Sequence, residues 1–211
     1  MALICAIILS YLIGSIPTAY IFGRIVKGVD IRKHGSGNVG ATNAFRALGA
    51  GFGITVLLLD ALKGLVCVVN ISDFILSRGL GLNPLMLRVI LGLTAVAGHS
   101  WTVFLNFKGG KGMAITLGVL VGLSIKFPVL RIILLAEIAL WLAVFLSSRI
   151  VSLASIISAI TFPIFFIIFR QSPYLVLMSL ILSLLIVFRH KSNISRLLRG
   201  EESRINFSRK S

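Results

Sequence analysis

Long apolar runs broken by short polar stretches dominate this chain, with little of the alternation that marks a half-buried strand or surface helix. Ala2–Phe22, Ile54–Leu76, Leu85–Phe107, Leu130–Leu146 and Val151–Phe169 are each long enough to cross about 30 Å of hydrocarbon, which takes around 20 helical residues. Tyr174–Phe188 is slightly short but bounded by charge. Met113–Ile125 is shorter still, about 20 Å at about 1.5 Å per residue. It can span only if its glycine-rich start lies below the membrane surface, in a wet pocket that tolerates broken backbone. Counting it gives an all-α, polytopic membrane protein with seven transmembrane helices. A single domain over residues 1–211 is expected, with 191–211 forming a juxtamembrane amphipathic helix and a basic end.

Composition agrees with this reading. The chain is 57% hydrophobic and 13% charged, with a mean hydropathy of +1.04, against about 45–50% and about 25% for soluble domains. No basic region precedes the first apolar run and no small-residue cleavage site follows it, so a first membrane helix is expected rather than a signal peptide. Cys5 and Cys67 lie in apolar runs with no metal-type spacing, and neither a disulfide framework nor a metal site is indicated.

A formal charge of +15 fits nucleic acid, anionic lipid or an anionic substrate, and its placement decides among them. With seven spans, one side receives Arg24, Lys27, Arg32, Lys33, Arg46, Lys108, Lys111, Arg149 and the basic tail from Arg189 to Lys210. The other side has only Arg78, Arg88, Lys126, Arg131 and Arg170. The richer side should be cytoplasmic, with the N-terminus outside and the C-terminus in the cytoplasm. Topology alone does not explain why these same loops are rich in glycine and small polar residues.

The first loop runs Lys27-Gly-Val-Asp-Ile-Arg-Lys-His-Gly-Ser-Gly-Asn-Val-Gly-Ala-Thr-Asn-Ala-Phe-Arg-Ala-Leu-Gly49. Its Gly35, Gly37 and Gly40 match G-x-G-x-x-G, but a dinucleotide fingerprint needs a preceding strand, and a membrane helix stands there. Glycines still let backbone N–H groups approach an anion. A short helix from Ala41 to Leu48, stopped by Gly49, would place Thr42, Asn43 and Arg46 on one face. Ser36, Gly37 and Asn38 precede it.

The second loop, Phe107-Lys-Gly-Gly-Lys-Gly112, is no Walker A motif, since Leu105 stands where its first glycine belongs. Lys108, Gly109, Gly110, Lys111 and Gly112 nevertheless suit a phosphate nest at the start of a short helix.

Later stretches add Ser152 and Ser155, three apart at the cytoplasmic end of a span. His190 and Asn193 face one way beside an apolar strip of Ile194, Leu197 and Leu198. His99 lies inside a span and is equally compatible with a functional role and a helix-to-helix hydrogen bond. Asp60 and Lys63 most simply neutralise each other; Glu137 has no evident partner.

Such a site has many donors and few bases. Asp30 is the only acid within these motifs, and no His has an Asp five residues on, which excludes the soluble-type glycerolipid acyltransferase motif. The donors suit binding of phosphates and stabilisation of developing negative charge. A substrate phosphate, with a second pKa near 6, can accept a proton.

In order, Gly35-Ser-Gly-Asn-Val-Gly-Ala-Thr-Asn-Ala-Phe-Arg46, Gly98-His99 with Phe107–Gly112, Val151-Ser-Leu-Ala-Ser155 and Arg189-His190 with Asn193–Leu197 resemble the bacterial acyl-phosphate:glycerol-3-phosphate acyltransferases of the PlsY type. The resemblance extends from Gly14-Ser-Ile-Pro17 to Gly200-Glu-Glu202. It implies a seven-helix inner-membrane enzyme of phospholipid synthesis, with its site on the cytoplasmic side. The enzyme would move an acyl group from acyl phosphate to the 1-hydroxyl of sn-glycerol 3-phosphate, giving lysophosphatidic acid and phosphate.

Proton removal would be substrate-assisted, with no cofactor, no metal and no nucleic-acid partner, and a monomer in the bilayer is expected. By motif match, Ser152, His190 and Asn193 would serve catalysis. Ser36, Gly37, Asn38, Thr42, Asn43, Arg46, Lys108, Gly109, Gly110, Lys111 and Gly112 would bind substrate. Ser36, Lys108 and His190 are then expected to share one cavity. Thr102 in place of a proline, and Met113-Ala-Ile-Thr116 in place of a Val-Ala-Thr run, depart from the pattern near Lys108. An organophosphate transporter with a midplane anion site is the alternative, and it would show counterflow of labelled glycerol phosphate rather than lysophosphatidate formation. A lipid-binding protein without catalysis would need only the tail charges, leaving the glycine loops unused.

Overall fold

A computed structural model describes residues 1–205, and all regular secondary structure among them is helical. The basic residues Arg209 and Lys210 lie outside the described residues. Contacts divide the chain into two compact units, residues 1–127 and 128–211.

The first unit contains α1 (Ala2–Ser15), α2 (Thr18–Lys27), α3 (Ala41–Leu48), α4 (Ala50–Val66), α5 (Ser72–Leu76), α6 (Pro84–Ser100) and α7 (Met113–Lys126). The first apolar run is two helices, bent by 41° at Ile16–Pro17. Pro17 lacks an N–H and disfavours helix at the residue before it, so a bend falls here although both halves are apolar. A π turn over Cys67–Ile71 joins α4 to α5, and Val68 O, within that turn, accepts a bond from Arg88 at 2.5 Å. Arg88 also reaches Asp73 at 2.5 Å, and Lys126 pairs with the same carboxylate.

Helix α1 packs on α6, and α4 on α7. A Cβ at Gly14 would strike the Ala95 carbonyl, and one at Gly118 would strike that of Ala61, so these helices approach at backbone distance.

The second unit holds α8 (Arg131–Ser148), α9 (Val151–Ile168), α10 (Pro173–Arg189) and α11 (Lys191–Leu198), with α9 packed against both α8 and α10. Glu137 on α8 is buried and accepts hydrogen bonds from Ser158 and Thr161 of α9, which supplies the partner the sequence lacked. Trp141 donates to Ser155 at 3.3 Å.

Among the described residues, four helices are long and apolar enough to cross a membrane, six if each bent pair is one span, and Met113–Lys126 is a shorter apolar helix. Leu135, Leu142 and Leu146 of α8 are exposed. Outward leucines of this kind cost nothing in hydrocarbon, but water would penalise so large an apolar surface.

Candidate active site

In the first unit, the segment between α2 and α3 is held from beneath by a small core. Ile31, Val39, Ala44, Leu48, Val56 and Leu105 are buried together with Ala19. Burying a residue such as Ile31 or Val39 stabilises the loop by about 1.5–3 kcal/mol relative to exposure. Leu105 precedes the second glycine loop, so one apolar cluster anchors both loops.

Asp30 caps the short turn Ile31–Lys33 and binds the Arg32 guanidinium at 2.7 and 2.9 Å, with Arg24 at 3.5 Å. The hydrogen bond from Arg32 holds the Asp30 carboxyl far below the usual carboxylate range. Arg24 and Arg32 also stack on the Tyr20 ring. These two cations are therefore engaged with Asp30 and Tyr20.

The short helix forms over Ala41–Leu48 with Gly49 at its C-terminal end, as its sequence predicts. Asn43 is 1% exposed, and its side chain organises the loop. Its Oδ1 accepts the Ser36 amide at 2.8 Å, and its Nδ2 donates to the carbonyls of Ile31 and His34 at 3.1 and 3.0 Å. A Cβ at Gly35, which has φ of 58°, would collide with that Oδ1. Ser36 and Arg46 are exposed, while Gly37, Asn38 and Thr42 are half-buried around this turn. The turn thus presents Ser36 to solvent while Asn43 supports it from inside.

The second loop begins after α6. Gly109 N–H donates to Ser100 O at 3.2 Å and Gly110 N–H to His99 O at 3.0 Å. Those two amides are therefore directed at backbone carbonyls, and they pin the loop to the end of α6. Lys108 is exposed and Lys111 half-buried on either side of the buried glycines. Gly112, at φ of 89°, starts α7, whose first-turn amides carry the positive end of that helix. Val39 of the first loop and Gly110 of the second line the same small cavity, together with Thr18, Asp60, His99 and Thr102. Ser36 and Lys108 therefore belong to neighbouring loops of one unit.

In the second unit, Ser152, Asn193 and Arg196 all bind one carboxylate. Ser152 Oγ and Asn193 Nδ2 donate to Glu202 Oε1 at 2.8 and 2.6 Å, and Arg196 Nε donates to Oε2 at 2.6 Å. Burial pushes the Glu202 carboxyl upward, but the bonds from Arg196, Asn193 and Ser152, with the Arg196 charge, outweigh it and hold it below its ordinary value. His190 is 3% exposed, with Nδ1 at 2.7 Å from Ile186 O. A carbonyl can only accept, so Nδ1 carries a proton.

Glu202 is the residue that loop-by-loop reasoning missed. An acid after Gly200 in an otherwise basic tail was the available signal. Among the described residues, no group of three or more His, Cys, Asp or Glu is arranged to hold a metal.

Comparison with known proteins gives a consistent picture. The model of a family described as glycerol-3-phosphate acyltransferase matches residues 4–200. The chain is 46% identical to a glycerol-3-phosphate acyltransferase of Desulforudis audaxviator, over 98% of each chain. It is 44% identical to one of Fusobacterium nucleatum, over 98% of this chain and all of that one. Its structure is similar to a crystal structure of the integral membrane glycerol 3-phosphate acyltransferase PlsY in its glycerol 3-phosphate form. That similarity has a TM-score of 0.84 and 38% identity, covering 98% of this chain and 96% of the other. The lysophosphatidic acid form of PlsY matches with a TM-score of 0.81.

Proposed function

The chain belongs to the glycerol-3-phosphate acyltransferase family, and from that premise we propose that its acyl donor is an acyl phosphate. In the reaction, the 1-hydroxyl oxygen of sn-glycerol 3-phosphate attacks the acyl carbonyl and the carbonyl–phosphate bond breaks. The hydroxyl proton leaves on the departing phosphate, giving lysophosphatidic acid and inorganic phosphate.

The observation that carries this reading is that the loop bearing Ser36 and the loop bearing Lys108 meet, with Val39 of one and Gly110 of the other lining one small cavity. Ser36, Gly37, Asn38, Thr42, Arg46, Lys108 and Lys111, with the Gly112 backbone, bind phosphate and glycerol phosphate, while Gly109 and Gly110, expected as part of a phosphate nest, instead pin the loop through their amides to α6. Asn43 holds the Ser36 turn in shape for that task. Ser152, His190 and Asn193 serve the transfer step in the second unit. A base of ordinary strength is needed only weakly, because the phosphate leaving group accepts the proton. The enzyme's work is then chiefly holding two anions so that hydroxyl meets carbonyl.

The chain is read as seven spans, the six long or bent ones plus Met113–Lys126, forming one functional domain in the bacterial inner membrane. The N-terminus lies outside, and the loops bearing Ser36 and Lys108 lie on the cytoplasmic side, as does the tail. The acyl chain lies among helices and glycerol phosphate enters from the cytoplasm, with the protein acting as a monomer without cofactor.

The test is purified protein in detergent with synthetic acyl phosphate and glycerol 3-phosphate. Lysophosphatidate and phosphate should form together, and acyl-CoA or acyl carrier protein should not replace acyl phosphate. Counterflow of glycerol phosphate in liposomes without turnover in detergent would overturn the reading.

A further inference from the structure

We propose that the cavity beneath the second glycine loop is an ordered-water site, through which Asp60 and His99 act as positioning residues for Lys108–Gly112. Asp60 is 1% exposed. Its Oδ1 accepts bonds from Thr18 at 2.8 Å and Lys63 at 2.5 Å, and Lys63 also donates to Ile16 O at 2.6 Å and to Thr18. Its Oδ2 is buried with no hydrogen-bonding group among the described residues. The bonds from Thr18 and Lys63 use Oδ1 alone, and leaving a charged acceptor unmade inside a protein is costly. The cavity that Asp60 lines has room for about one water and polar walls to hold it.

His99 lines the same cavity. Its Nδ1 lies 4.0 Å from Asp60 Oδ1, too far for a direct bond and within the span of one water. A Cβ on Gly110 would collide with His99 Nε2, and one on Gly109 would collide with His99 O. The imidazole and backbone of His99 are thus the floor on which both glycines rest. Any shift of that ring moves the backbone carrying Lys108 and Lys111. Asp60, through the water, fixes the ring. Charge balance is kept by Lys63, so the platform is rigid without adding net charge below an anion site.

This inference rests on the reading of the loop as a glycerol-phosphate site, and the test separates the two. KM for glycerol 3-phosphate and for acyl phosphate, kcat and melting temperature are measured for His99→Gln, Asp60→Asn, the double variant and Lys108→Ala. His99→Gln and Asp60→Asn should each raise KM for glycerol 3-phosphate by roughly 5–20-fold, the scale of losing one bridged hydrogen bond. KM for acyl phosphate should stay within about twofold, and the double variant should be no worse than the singles, because both cut one linkage.

A folded His99→Gln with unchanged KM, or parallel loss of melting temperature and kcat with no KM selectivity, overturns the proposal. If Asp60→Asn does not fold, His99→Gln decides, since it leaves the ion pair intact; if neither folds, the cluster is structural and the proposal fails. A raised KM in Lys108→Ala beside an unchanged His99→Gln defeats the platform alone. An unchanged Lys108→Ala defeats the loop reading and the platform together.

Discussion

Removing the Glu202 carboxylate should unfasten the end of the second unit. In Glu202→Ala the Ser152 hydroxyl and the Asn193 amide, both buried, lose their shared acceptor, and Arg196 loses its anion. Hydrogen bonds to a charged group contribute about 1.5 kcal/mol each at the low end of the usual range. The Arg196 side chain is 33% exposed, so solvent screens that contact to about 0.5 kcal/mol. Together these give about 3.5 kcal/mol. At about 2–4 °C per kcal/mol for a chain of this size, the melting temperature in detergent should fall by about 7–14 °C. Glu202→Gln keeps an acceptor for one donor but loses the charge, and should fall by about half as much.

Acid provides an independent handle on the same contacts. The folded carboxyl lies below its ordinary value, so its contribution is present above the unfolded value of about 4.3. It disappears as pH falls through the lowered folded value. The gap in melting temperature between wild type and Glu202→Gln should therefore stay constant from about pH 8 to about pH 5 and close in stronger acid. Melting within about 1 °C of wild type for Glu202→Ala, or a gap that closes near neutrality, would refute the reasoning.

Further expectations concern the first unit. Arg46→Ala should cost about 2–5 kcal/mol in transition-state or substrate binding if the guanidinium grips a desolvated phosphate, read as kcat/KM at constant melting temperature. Asn43→Asp should destabilise by about 2–4 kcal/mol, because a carboxylate cannot donate to the carbonyls of Ile31 and His34; thermal melting and KM for glycerol phosphate check it. Gly118→Leu should force α7 off the Ala61 backbone of α4 at about 1–3 kcal/mol or more, visible as loss of folded protein on gel filtration.

The sequence displayed its membrane runs, the Ala41–Leu48 helix and the Asp60–Lys63 pair, because each depends on neighbours within a few residues. The bend at Ile16–Pro17 was written in Pro17, yet an apolar window averages over it. Helical spacing lets Thr42, Asn43 and Arg46 share one face. It could not show that Asn43 turns inward to tie the loop. The amides of Gly109 and Gly110, read as a phosphate nest, face Ser100 and His99 carbonyls, a choice made by tertiary packing. Glu202 meets Ser152 across fifty residues, and Glu137 finds Ser158 on the next helix. Contacts of that separation leave no local pattern to read.

The most direct measurement uses glycerol 3-phosphate carrying oxygen-18 in its 1-hydroxyl, incubated with acyl phosphate and the purified enzyme. The account requires the label to stay in the ester linkage of lysophosphatidate, with unlabelled phosphate released one for one. Labelled phosphate, or free fatty acid formed without lysophosphatidate, would contradict it.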